Sequence, residues 1–143
     1  MFLLDTDVLS AHRRPDRTPA IANWLSSRRT VDLHLSVVSI GEIERGIARQ
    51  RARDAAFAEA LASWLDRVLR LYGDRILGID APTARRWGQL SASIGHQGAD
   101  LLADLLIAAT ALEHGLTVVT RNVRHYEPTG VSVLDPTTCP PSE

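Results

Sequence analysis

Five short apolar runs alternate along this chain with segments of helical periodicity, and that alternation constrains the fold more than any other feature. Residues 2–4, 33–38, 75–79, 116–120 and 131–134 read as strands. Helical patterns occupy the stretch through Leu9, up to the Arg13-Arg14-Pro15-Asp16 break, and then 20–27, 39 to about 53 and about 55–72. Two more run from near Pro82 to about 94 and over 100–113, with Gly73 and Gly115 as stops. Strands alternating with helices predict an α/β fold in which helices cover both faces of a mostly parallel sheet of about five strands. The 143 residues suit a single domain, read here as 1–135, followed by a tail (136–143) carrying Pro136, Pro140 and Pro141.

Composition removes several function classes. The net charge of −1 means that any phosphate-binding surface has to be local. All 16 basic residues are arginine, which excludes Schiff-base chemistry and a phosphate-binding P-loop lysine. The single cysteine, Cys139, excludes a disulfide framework, and a reducing, cytoplasmic setting is expected. The longest apolar-rich stretch, 101–112, is interrupted by Asp104 and too short to cross a bilayer. No basic leader precedes an apolar core at the N-terminus.

Carboxylates fall where a sheet of this kind places its ligands. Phe2-Leu3-Leu4 runs directly into Asp5-Thr6-Asp7, so Asp5 stands at the carboxyl end of the first strand, the edge at which open α/β sheets bind ligands. On a helical wheel Asp104 lies within about 80° of Leu101, Ile107, Ala108, Ala111 and Leu112, inside the apolar face meant for the sheet. An unpaired carboxylate there costs several kcal/mol, so it needs a cation, strong hydrogen bonds or an altered pKa. Two readings stand: a metal ligand, or a structural acid near a helix N-terminus. Asp100, one turn earlier, reads as a helix cap. Ser39-Ile40-Gly41-Glu42 matches a capping box, and a helix starting after the second strand also brings Glu42 to the edge that holds Asp5. Arg45, Arg49 and Arg53 follow Glu42 opposite the Ile40/Ile43/Ile47 stripe, either as a solvated face or as a phosphate track. Thr120-Arg121-Asn122 closes the fourth strand at the same edge, where it either caps a turn or positions a water or phosphate oxygen.

Gathering Asp5, Glu42 and Asp104 is costly without a cation, since two carboxylates ~4 Å apart repel by about 4 kcal/mol at an effective dielectric near 20. Oxygen-only donors favour Mg²⁺, or Mn²⁺, over zinc, and the scattered His12, His34, His96, His114 and His125 show no metal-ligand spacing.

Taken together, Leu3-Leu4-Asp5-Thr6-Asp7-Val8-Leu9-Ser10, Ser39-Ile40-Gly41-Glu42-Ile43-Glu44-Arg45-Gly46, the 103–111 segment around Asp104, and Val119-Thr120-Arg121-Asn122 resemble, in order, the motifs of PIN-domain ribonucleases of the VapC toxin type. The resemblance implies a three-layer α/β/α sandwich, Mg²⁺-dependent RNA cleavage, homodimers, and inhibition by a cognate antitoxin in a hetero-oligomer. It maps Asp5, Glu42 and Asp104 onto metal-binding catalytic carboxylates, and Asn122 onto the fourth catalytic position. Arg45, Arg49 and Thr120 become candidate contacts for substrate or antitoxin. The chain departs from the pattern at three places. Asn122 stands where an acid is frequent, His125 where another Asp is common, and Asp7 where Asn or Ser is usual. Asn122 brings no charge, so the metal count stays open, with Asp7 and Asp100 as possible compensation. Two alternatives compete. One is a non-catalytic PIN-like binding module. The other is a haloacid-dehalogenase-like phosphatase, with Asp5 as nucleophile and Asp7 as general acid, which lacks the later lysine such enzymes use.

Overall fold

A computed structural model describes residues 1–94 and 98–138, without the side chains of residues 98–100. His96, Cys139, Pro140 and Pro141 lie outside the described residues. The elements run β1 (Phe2–Leu4), α1 (Thr6–His12), α2 (Pro19–Ser26), β2 (Leu33–Ser36), α3 (Val37–Arg51), α4 (Ala55–Tyr72), β3 (Ile76–Leu77), α5 (Ala81–Ile94), α6 (Gly98–His114), β4 (Thr117–Val119), α7 (Val123–Tyr126) and β5 (Val133–Leu134).

The five strands form one sheet in the order β3-β2-β1-β4-β5, and every pairing is parallel. Leu3 sits opposite His34 on one side and Val118 on the other, while Leu4 faces Val119. The chain builds outward from β1 through β2 to β3, then returns to lay β4 against the other side of β1. That reversal opens a crevice at the carboxyl ends of β1 and β4, where open α/β sheets place their ligands.

Side chains alternate across the strands, so each strand feeds two cores. Leu4 and Val119 join Val8, Leu9, Ile21, Trp24, Leu35, Ile43, Ile47, Leu65 and Val68 beneath α1–α4. Leu3 and Val118 join Ile107, Ala108, Ala111, Tyr126 and Val131 on the opposite face, beneath α6 and α7. This is the three-layer α/β/α sandwich. Each fully buried aliphatic side chain contributes roughly 1.5–3 kcal/mol.

Several element boundaries differ from the sequence reading. The second strand stops at Ser36, and α3 starts at Val37 rather than Ser39. The Ser36 side chain caps α3, accepting from Val38 N at 3.0 Å. Ser39 is therefore a buried residue of the helix's first turn, and the expected capping box does not form. The two valines resemble strand continuation, but the Ser36 hydroxyl supplies the helix start before them. Similarly, α6 begins at Gly98, so Asp100 lies inside the first turn and does not cap it; its side chain is outside the described residues. The third and fifth strands are shorter than their apolar runs, pairing only at Ile76–Leu77 and Val133–Leu134. Gly115, at φ 66, ends α6 as its position suggested.

Candidate active site

β1 passes into α1 without a loop, so Asp5 is both the last residue of the strand's edge and the N-cap of the helix. Its Oδ1 accepts from Thr6 N at 2.8 Å, and its Oδ2 accepts from Thr120 Oγ1 at 2.8 Å. Its own N–H donates to Val119 O at 2.9 Å, which locks it to the neighbouring strand. Thr120 Oγ1 also accepts from Asn122 N at 2.9 Å, so one hydroxyl joins Asp5 to the start of α7.

Asp5 is only 5% exposed. Burial pushes its carboxyl up to about 7, and the charge of Asp7 adds to this. The bonds from Thr120 and Thr6 pull the other way, and Asp104 raises it further. A carboxyl this easily protonated at neutral pH, at a sheet edge, is an unstable arrangement that a cation would relieve.

Asp104 projects from the second turn of α6, beside Ile107, Ala108 and Ala111, which are fully buried. Its apolar setting is the one the helical wheel predicted. Both oxygens are engaged: His125 Nδ1 lies 2.9 Å from Oδ2, and Tyr126 donates its hydroxyl to Oδ1 at 3.3 Å. Burial raises the Asp104 carboxyl, the His125 and Tyr126 bonds lower it, and Glu42 raises it. The Tyr126 phenol is fully buried and pushed far up, first by burial and then by Asp5 and Asp104.

Glu42 reaches the site from α3, through a partner the sequence reading did not single out. Thr6 Oγ1 lies 2.6 Å from Glu42 Oε1 and 2.8 Å from Ser39 Oγ. A hydroxyl has one proton, so Thr6 donates to the carboxylate and takes the proton of Ser39. Glu42 thus leans toward α1 instead of back to its own helix terminus.

Asp5, Asp104 and Glu42 act on one another electrostatically, Asp104 on Asp5 and Glu42 on Asp104. Among the described residues, however, no three His, Cys, Asp or Glu side chains converge as a ready-made metal cage. The donors are oxygen atoms only, and the carboxyls of buried Asp5 and half-buried Asp104 both hold protons more tightly than usual. Such a set fits a hard divalent cation that keeps several waters and takes one or two carboxylates, as Mg²⁺ does.

The remaining candidates separate. Asn122 is exposed, and the bond tying it to the site comes from its backbone N–H. Asp7 faces Arg121, whose Nε and backbone N reach Asp7 Oδ2 at 3.1 and 3.3 Å. That pairing leaves Asp7 poorly placed to act as the general acid of a phosphatase. Arg45 lines a cavity of about 250 Å³ with Val38, Gly41, Glu42, Leu102, Ala103 and Leu106, while Arg49 is exposed one turn further along α3. His125 and Tyr126 were missed as site residues. His125 looked scattered because its partner lies 21 residues away, and Tyr126 is indistinguishable in sequence from a core aromatic.

A parallel sheet with a buried Asp at its reversal point, facing a second carboxylate from a helix, defines an acidic α/β site. The PIN domain family matches residues 2–130, and the chain belongs to that family. It is 33% identical to toxin FitB of Neisseria gonorrhoeae, over 95% of this chain and 98% of that protein. It is 30% identical to VapC ribonuclease Y4jK of Sinorhizobium fredii, over 95% of this chain and 97% of that one. The crystal structure of FitAcB from Neisseria gonorrhoeae superposes with a TM-score of 0.85 at 33% identity, covering 97% of this chain and all of that one. Membership of this family removes the phosphatase alternative.

Proposed function

We propose that this chain is a metal-dependent endoribonuclease that acts as the toxin of a toxin–antitoxin pair. The observation that carries the reading is a chain of carboxylates at the β1/β4 crevice, in which Asp104 raises the cost of ionising buried Asp5 and Glu42 raises that of Asp104. Relatives named a toxin and a ribonuclease, similar over nearly the whole chain, support the same reading.

Asp5 and Asp104 would hold Mg²⁺, or Mn²⁺, with Glu42 bound directly or through water. When bound, a divalent cation supplies an activated water and neutralises charge on the scissile phosphodiester. The protein's own work is placement. Thr6 and Thr120 fix the two oxygens of Asp5, and Thr6 also aims Glu42. Arg45, beside Glu42, and Arg49 beyond it supply positive charge for RNA phosphates or for an acidic stretch of antitoxin. Asn122, exposed at the edge of the crevice, orients a water or phosphate oxygen, whereas Thr120 is fully buried and serves Asp5 rather than contacting substrate or antitoxin.

The partners of this reading are an RNA substrate, a cognate antitoxin and a second copy of the chain, in a cytoplasmic setting. No helix among the described residues is long and apolar enough to cross a membrane.

The uncharged Asn122 at the fourth position favours a second reading, a PIN-like module that binds RNA without cutting it. Induced expression followed by mapping of new RNA 5′ ends distinguishes the two. The nuclease reading expects discrete new ends with wild type, none with Asp5→Asn, and relief by a small neighbouring open reading frame. RNA bound without new ends would favour the module.

A further inference from the structure

We propose that His125 and Tyr126 are positioning residues that hold the Asp104 carboxylate in its metal-binding orientation, a role that rests on the metal-site reading above. The segment 120–126 thereby fixes both acids. Thr120 holds Asp5 at 2.8 Å, and its hydroxyl takes the Asn122 N–H at the start of α7. One turn later, His125 Nδ1 meets Asp104 Oδ2 at 2.9 Å and Tyr126 O–H meets Oδ1 at 3.3 Å.

A carboxylate's terminal torsion is broad, so an Asp on a helix face keeps rotational freedom unless both oxygens are engaged. Here each oxygen has a different partner, and both partners come from one rigid turn. An ionised carboxylate only accepts, so the imidazole proton in this bond sits on Nδ1. Nε2 then points away, consistent with a His125 side chain that is 54% exposed. Tyr126 supplies the rigidity: its ring is fully buried in the core with Leu3, Ile107 and Val118.

Partners that orient a metal-binding side chain without touching the metal typically change affinity 10–100-fold when removed. The geometry gives a specific rescue pattern. An Asn amide nitrogen occupies roughly the place of histidine Nδ1, whereas a Gln amide nitrogen occupies that of Nε2.

The test is Mn²⁺ binding to the full chain, read from the loss of the free-ion paramagnetic resonance signal, for wild type, His125→Asn, His125→Gln and Tyr126→Phe, with thermal melts alongside. The expected result is His125→Asn within about twofold of wild type, and His125→Gln and Tyr126→Phe weaker by about tenfold or more. The exposed His125 variants should keep the wild-type melting temperature, which separates positioning from folding. Wild-type binding with His125→Gln and Tyr126→Phe both unchanged overturns this inference alone. Absence of Mn²⁺ binding to wild type overturns the metal-site reading and this inference with it.

Discussion

Asp5 should make the metal-free protein less stable, and replacing it with asparagine should make the fold stronger. Its carboxyl is lifted from 3.8 to about 7, first by burial and then by Asp7. That corresponds to about 4 kcal/mol against folding when both states are ionised. The sign follows from proton occupancy. Below about pH 4 both folded and unfolded chains hold the proton, and there is no penalty. Between about 4 and 7 the unfolded chain releases it while the folded chain keeps it, so the penalty grows with pH and is complete above about 7. Asp5→Asn removes the charge but weakens one hydrogen bond, because its amide N–H₂ faces a Thr120 hydroxyl that donates to Asp5 Oδ2. That loss is about 1–3 kcal/mol. The net gain at pH 8 is then about 2 kcal/mol, or about 6 °C in melting temperature for a chain of this size. Thermal melts of wild type and Asp5→Asn, in a chelator at pH 8 and near pH 4, test this. The gain should be present at pH 8 and absent or reversed near pH 4, and added Mg²⁺ should stabilise wild type alone. If Asp5→Asn lowers the melting temperature equally at both pH values, the electrostatic reasoning is wrong.

Thr120→Val removes the donor to Asp5 and the acceptor for Asn122 N, so it should cost about 1–3 kcal/mol in urea denaturation at pH 8. Since Thr120 lowers the Asp5 carboxyl, the gain from Asp5→Asn should be larger in the Thr120→Val background. Ile107→Ala, at a fully buried position beside Asp104's helix face, should cost about 2–5 kcal/mol by the same measurement. Arg45→Glu should leave the melting temperature within about 2 °C of wild type, because the side chain is exposed. It should weaken RNA binding and flatten its salt dependence, measured by filter retention at several ionic strengths.

Periodicity made the layers legible, because alternating short apolar runs and amphipathic helices have few other ways to bury their surfaces. It also located Asp5, since a carboxylate immediately after three apolar residues has to stand at a strand end. Asp104 was legible because it interrupts an otherwise apolar helical face. The boundaries were not. Val37 and Val38 have strand-like side chains, yet the Ser36 hydroxyl starts α3 ahead of them. The same shift removed the helix-cap role read for Glu42 and left its other role, a carboxylate at the site edge, now held by Thr6 across 36 residues of sequence. Hydrogen bonds of that span leave no local pattern. For this reason Thr6 was passed over between Asp5 and Asp7, and the grip of His125 and Tyr126 on Asp104 emerged only when α6 and α7 were seen side by side. Asp7 looked like spare acid, and its pairing with Arg121 depends on the approach of β4 to β1.

The central claim is that Asp5 and Asp104 hold a divalent cation that cuts RNA. Its most direct test is cleavage of total RNA by purified wild type, Asp5→Asn and Asp104→Asn, each with Mg²⁺ and with chelator. Cleavage by wild type in Mg²⁺ alone, with both variants inactive, is the predicted result. Equal cleavage in chelator, or an Asp104→Asn protein that cuts as well as wild type, would contradict the account.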